Sequence, residues 1–282
     1  MFQASQIPRD PMSSPYLRVL FYRDFRHFTG GHLKVWHYYE HVRQAPGFRP
    51  LIAFSAETRW NTTNPWLALR DQAQASWDPT QADFLFLAGM DWMILSEAER
   101  RSPPRPVINF IQHVRHANPP LALYGFLPHP AVRICVSPEV AEALKDTGRV
   151  NGPIITIPNG IDLAALPLGR PWMARGRRIV ILGLKQPAMA LELRDLLSEA
   201  GFEVDCLVDW VPREECLARL ADARLAVLLP NFTEGFYLPA LEAMALGTPV
   251  VCPDCRGNRS FCLAGDNCWQ PAYHPQALRA AV

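Results

Sequence analysis

Short apolar runs recur along the chain, each bounded by Pro, Asn, Asp or Gly: Leu17 to Tyr22, Leu51 to Phe54, Asp83 to Ala88, Val107 to Ile111, Val132 to Val136 and Ile154 to Ile157. Their hydrophobicity is continuous rather than alternating, so both faces of each strand are expected to be buried. A parallel sheet covered by helices imposes that requirement. Between the first two runs, Leu33, Trp36, Tyr39 and Val42 recur every third residue while Lys34, Glu40 and Arg43 take the other side. This spacing predicts an amphipathic helix laid on the sheet. Ser137-Pro138-Glu139 reads as N-cap, first-position proline and first-turn acid, opening a helix over Val140 to Lys145.

The alternation pauses at residues 166–178, where prolines, glycines and basic residues mix without either period. That composition predicts an interdomain linker between a first domain, 1–165, and a second, 179–282. Beyond it, strands Ile179 to Leu182, Val204 to Val208 and Leu225 to Leu229 alternate with helices near Ala188 to Ala200 and Arg213 to Ala221, and Thr248 to Cys252 adds a further strand-like run. At about 150 residues per domain the length of 282 residues suits two cores. The expected fold class is α/β, two Rossmann-like parallel-sheet domains in tandem.

Composition narrows the partners. With 49% hydrophobic and 20% charged residues and a net charge of +1, the chain is globular, and its longest basic block, Arg175-Gly-Arg-Arg178, is too short to hold a phosphate backbone. Nucleic acid is excluded as the main partner. Met1 to Asp10 lacks the apolar centre of a signal peptide, and no stretch of about 18 apolar residues occurs. A cytoplasmic protein is expected, free to touch a membrane peripherally.

Two patterns mimic metal sites. His37-Tyr-Tyr-Glu40-His41 matches an inverted zinc-peptidase motif, but no third ligand is defined and the helix must also cover the sheet. Cys252-Pro-Asp-Cys255 has a zinc-like spacing, yet Cys262 and Cys268 do not form a matching close pair. The seven cysteines are expected to be reduced and structural, and no metal is expected.

Two segments carry better chemistry. Thr29-Gly30-Gly31-His32 links the first strand to the first helix, where backbone amides and a helix N-terminus suit an anion. More specific is Glu234-Gly-Phe-Tyr-Leu-Pro-Ala-Leu-Glu242, directly after the strand Leu225 to Leu229. Glu234 is expected on the loop at a strand's carboxyl end, where open α/β sheets bind ligands. Glu242 is expected about one turn into a helix starting near Pro239. Both suit hydrogen bonds to sugar and ribose hydroxyls.

This block resembles the E-x7-E signature of retaining GT-B glycosyltransferases, in particular glycosyltransferase family 4. Gly30-Gly31, Ile134-Cys-Val-Ser137, Ile157-Pro-Asn-Gly-Ile-Asp162 and Asp254-Cys-Arg-Gly-Asn-Arg259 follow in that family's order over most of the chain. The resemblance implies a GT-B fold with two Rossmann-like domains facing a cleft. It also implies transfer of a sugar, with retained configuration, from a nucleotide-diphosphate-sugar donor to a glycan, lipid or small-molecule acceptor, without a metal or cofactor.

By matching position, Glu234 contacts donor-sugar hydroxyls and Glu242 the ribose. Gly235 and Phe236 bring amides to sugar and phosphate, Gly30 and Gly31 approach the diphosphate, and Lys185 takes the place of a phosphate-binding base. His113 is the expected catalytic histidine, with His116 its competitor, although Val114 replaces the family's aspartate.

The chain also departs from the family. The second domain reads one strand-helix unit short, the phosphate-binding turn is reduced to Gly183-Leu-Lys185-Gln-Pro187, and the sequence stops within a helical pattern at Leu278 to Val282. The expected rival is a non-catalytic nucleotide-sugar-binding or partner-binding relative. A hydrolase is disfavoured, because nothing places Glu234 and Glu242 across one bond.

Overall fold

The structure, a computed structural model, describes residues 15–282. The stretch Met1 to Asp10, where the sequence shows no signal-peptide core, lies outside the described residues. No helix among the described residues is long and apolar enough to cross a membrane.

Six strands form the first sheet: β1 (Leu17–Arg23), β2 (Phe48–Phe54), β3 (Phe84–Ala88), β4 (Val107–Ile111), β5 (Val132–Cys135) and β6 (Ile154–Thr156), in the order β2-β1-β3-β4-β5-β6. The pairs β1–β2, β1–β3 and β5–β6 run parallel. Leu20 and Phe21 of β1 are fully buried, and the Phe21 ring stacks on Phe86 at 4.5 Å. Burial on both faces holds for the central strands. It fails at the edges, where Phe48 of β2 and Ile155 of β6 are exposed.

Helix α1 (Gly30–Gln44) follows β1, but its buried line differs from the expected one. Lys34, Val35 and Tyr39 are buried, while Leu33, Trp36 and Val42 are half-buried. A strict three-residue spacing drifts about 60° around a helix at each step, whereas Val35 and Tyr39, four apart, stay on one face. Lys34 therefore does not lie on a polar outer face, and its Nζ stands 3.3 Å from His37 Nδ1. A short helix, α2 (Glu97–Arg101), is opened by a capping box in which Ser96 and Glu99 serve each other's backbone. The expected helix after β5 is α3 (Pro138–Lys145), capped by Ser137.

The second sheet contains β7 (Ile179–Leu182), β8 (Val204–Leu207), β9 (Leu225–Leu228) and β10 (Val250–Val251), in the order β10-β9-β7-β8 and parallel throughout. Helices α4 (Pro187–Glu199), α5 (Arg213–Asp222), α6 (Leu238–Ala245) and α7 (Pro275–Ala280) accompany it. Leu193 and Leu197 of α4 share one apolar cluster with Leu278 of α7. Leu217 and Leu220 of α5 share another with Ala240 and Ala243 of α6. Of the helical pattern at Leu278 to Val282, Leu278 to Ala280 belong to α7.

Contacts divide the chain into two compact units, one running to Asn109 and including His129–Ala131, the other comprising Phe110–Pro128 and Val132–Val282. This boundary runs through β4 rather than through residues 166–178. That segment is not a free linker. Arg175 is buried and donates to Thr248 Oγ1 at 2.7 Å and to the carbonyls of Leu246 at 2.6 Å and Arg170 at 2.9 Å. Trp172 donates to the Arg224 carbonyl at 2.9 Å, and the Arg224 guanidinium covers its ring. These two side chains tie the segment to the turns that precede β9 and β10.

Candidate functional site

Leu229-Pro230 follow strand β9, and the loop turns at Asn231, whose carbonyl accepts from the Glu234 amide at 3.1 Å. Proline cannot continue a ladder, so the chain leaves the sheet here. Glu234 thereby stands at the carboxyl end of β9, beside the turn that follows the neighbouring strand β7. Lys185 lies on that turn, and its Nζ donates to Glu234 Oε1 at 2.5 Å. The Glu234 side chain is 10% exposed and that of Lys185 45%, so the carboxylate is sheltered while its cation reaches solvent.

The loop is held from behind by the chain following β10. Tyr237 N donates to Gly257 O at 2.8 Å and Arg256 N to Phe232 O at 3.0 Å. A Cβ on Gly257 would meet Phe236 N at 2.7 Å and Glu234 O at 2.9 Å. Gly235 is equally confined, since a Cβ there would stand 2.1 Å from the Gln112 carbonyl oxygen and 2.8 Å from His113 Cα. The half-buried Phe236 ring leans on Phe261 at 5.1 Å.

His113 follows β4 and Gln112. Its Nδ1 accepts from the Arg115 amide at 3.0 Å, which leaves the proton on Nε2. Burial, then Arg115 and Lys185, push its pKa down to about 4. His113 is thus neutral at pH 7 and presents a donor. His116 is buried, with its pKa pushed down to about 3 mainly by burial.

Glu242 lies in the second turn of α6, and Arg213 Nη2 donates to its Oε1 at 2.6 Å. Arg213 is the first residue of α5. Sequence reasoning passed over it, although a cation at a helix N-terminus opposes the macrodipole and so stands out.

Gly30 and Gly31, expected in a turn, are the first two residues of α1, with Gly30 exposed. Thr29 caps this helix by accepting from His32 N at 3.2 Å. Within this unit Arg23, at the end of β1, donates to Asp91 Oδ2 at 2.6 Å and to His32 Nδ1 at 2.8 Å. Burial pushes the Asp91 carboxyl up to about 6 against the pull of Arg23. It pushes His32 down to about 3, helped by Arg23 and His27. No periodicity reveals this triad, because its members come from three separate segments.

The metal-like motifs do not assemble. Among the described residues no group of three or more His, Cys, Asp and Glu side chains is placed to hold a metal ion. His41 is exposed on α1, and Cys252, Cys255, Cys262 and Cys268 are buried as free thiols in the second core. Burial pushes the Cys255 thiol up to about 12, so it stays protonated.

Residues 163–282 match the family profile described as glycosyl transferases group 1. No curated protein matches the chain. Among solved structures, HepE of Anabaena, in complex with UDP and glucose, superposes with a TM-score of 0.66 at 13% identity over 94% of this chain and 89% of that one. Sucrose-phosphate synthase of Thermosynechococcus elongatus gives 0.66 at 12% identity over 94% and 88%. The lipopolysaccharide outer core galactosyltransferase WaaB, in its apo form, gives 0.62 at 13% identity over 94% and 88%. The chain therefore has the parallel-sheet α/β fold of GT-B glycosyltransferase structures, and its residues 163–282 match the group 1 glycosyl transferases.

Proposed function

We propose that the protein is a retaining glycosyltransferase that moves a sugar from a nucleotide-diphosphate-sugar donor to an acceptor hydroxyl. The observation that carries this reading is the Glu234–Lys185 pair at the carboxyl ends of β9 and β7, with a second buried glutamate, Glu242, in the helix that follows. The group 1 profile over the same residues supports it, as does the UDP and glucose complex of HepE.

Breaking the bond from the sugar's anomeric carbon to the diphosphate leaves negative charge on the departing phosphate. Lys185 has three N–H donors and spends one on Glu234, so it can also hold that phosphate. A fixed cation aimed at a developing oxyanion supplies several kcal/mol. Glu234 Oε2 is left for a sugar hydroxyl and Glu242 for the ribose, while the amides of Gly235 and Phe236 serve sugar and phosphate. His113 acts as a neutral donor from Nε2 to a sugar hydroxyl, and Gly30 and Gly31 stay assigned to an anionic group at the start of α1. These groups meet the charge without a metal. Residues 179–282 hold the donor and residues 1–165 the glycan, lipid or small-molecule acceptor, in a cytoplasmic protein free to touch a membrane peripherally.

The test is release of free UDP, GDP or ADP from the corresponding glucose donors in the presence of a sugar acceptor panel. Glu234→Ala should lower turnover by tenfold or more, about the loss of one charged hydrogen bond, while changing nucleotide affinity little. Equal turnover in Glu234→Ala and the parent protein would overturn the assignment.

A further inference from the structure

We propose that Arg213 is the positioning residue that gives this protein its selectivity for an intact ribose, acting through Glu242; the inference rests on the reading of Glu242 as the ribose contact. Glu242 is 8% exposed. A carboxylate buried to that degree needs a compensating charge, because taking an ion out of water costs several kcal/mol. Arg213 supplies that charge, with Nη2 at 2.6 Å from Oε1.

Three features of this pair bear on that role. First, Arg213 occupies the opening position of α5, where the helix dipole disfavours a cation, and its N-cap, Pro212, makes no side-chain cap. A residue that breaks the local rule is expected where another element requires it. Here that element is α6, which packs against α5. Glu214 and Glu215 follow in the same first turn and satisfy the dipole, so α5 does not need Arg213 for its own stability.

Second, the pair is sheltered. The side chains of Arg213 and Glu242 are 25% and 10% exposed, whereas Arg178–Glu203 at the other end of the sheet are 47% and 58% exposed. Third, the pairing is one-sided. Arg213 takes Oε1, and no protein donor among the described residues takes Oε2. The half-buried Cys216, one turn further along α5, feels both charges, but burial pushes its thiol up to about 11 and it remains a neutral neighbour.

Holding one carboxylate oxygen fixes the rotamer of Glu242 and leaves the other oxygen as a preorganised acceptor. A ribose offers two adjacent hydroxyls as donors. An ionised phosphate offers no donors at all, so the function of Arg213 is to sharpen recognition of the nucleotide's ribose and not of its phosphates.

The experiment is calorimetric titration of the full chain with UDP, GDP and ADP, with their 2′,3′-dideoxy forms, and with inorganic pyrophosphate. The parent protein should prefer the ribonucleotide it binds over its dideoxy form by about tenfold or more, the loss expected when hydrogen bonds to a charged group are removed. Arg213→Gln should reduce that ratio to about threefold or less, with pyrophosphate affinity unchanged, and Arg213→Lys should restore part of it. An unchanged ratio in Arg213→Gln would overturn the inference. An equal loss for nucleotide, dideoxynucleotide and pyrophosphate would also overturn it, since that marks a merely structural role. If the parent protein binds none of the three nucleotides, the functional reading itself falls and this inference with it.

Discussion

Replacing Gly257 by alanine puts a methyl group 2.7 Å from Phe236 N and 2.9 Å from both Glu234 O and Phe236 Cα. All three neighbours are backbone atoms, so no side chain can swing aside. Ordinary contact requires about 3.4 Å, so the loop must retreat by about 0.7 Å or the segment following β10 must move. The hydrogen bond from Tyr237 N to Gly257 O couples the two, which transmits the shift to Glu234. Overpacking of this kind costs about 1–3 kcal/mol, and at about 2–4 °C per kcal/mol the melting temperature should fall by several degrees. Displacing a substrate-positioning carboxylate by most of an ångström should lower turnover by tens of fold. Gly176→Ala is the control, because a Cβ there meets nothing within 4 Å. Thermal unfolding and nucleotide release are measured on both variants. If Gly257→Ala matched Gly176→Ala in both, the argument that this glycine sets the position of Glu234 would be refuted.

Two further outcomes are expected. Glu242→Ala should weaken binding of the preferred nucleotide by about tenfold or more, measured by titration, while leaving pyrophosphate affinity within about twofold; equal affinities for the nucleotide would remove Glu242 from the site. Stability should fall as pH drops from about 6.5 towards 4. His32 and His116 are held down at about 3 and His113 at about 4, so the unfolded chain takes up protons near the ordinary value of 6.5 while the folded chain does not. Asp91, raised to about 6, works in the opposite direction as a single group. A melting temperature that stays flat or rises between pH 6.5 and 4.5 would contradict this balance.

The apolar runs made the strands legible, because parallel strands buried on both faces leave no alternation to misread. Thus β3, β4 and β7 begin and end within a residue of the expected positions. The edge strand β2 was harder, since Phe48, Arg49 and Pro50 look like loop residues until backbone pairing with β1 recruits them. Glu234 and Glu242 were visible through their spacing, and Lys185 through its place after β7. Their partners were not all visible. The Arg213–Glu242 contact joins two helices and the Arg23–His32–Asp91 triad joins three segments, and long-range pairings leave no period in a sequence. The anchoring of segment 166–178 was hidden for a related reason. Its composition describes a loop correctly but says nothing of Arg175, whose anchoring depends on carbonyls from distant turns.

In the proposed function, residues 179–282 hold a nucleoside diphosphate through Glu242 and Lys185. Thermal unfolding with UDP, GDP and ADP in turn tests it most directly, because a ligand at about 100 times its dissociation constant adds about 2.7 kcal/mol to the folded state. One of the three should raise the melting temperature by several degrees in the parent protein and by much less in Glu242→Ala. No rise with any nucleotide, or an equal rise in the variant, would contradict it.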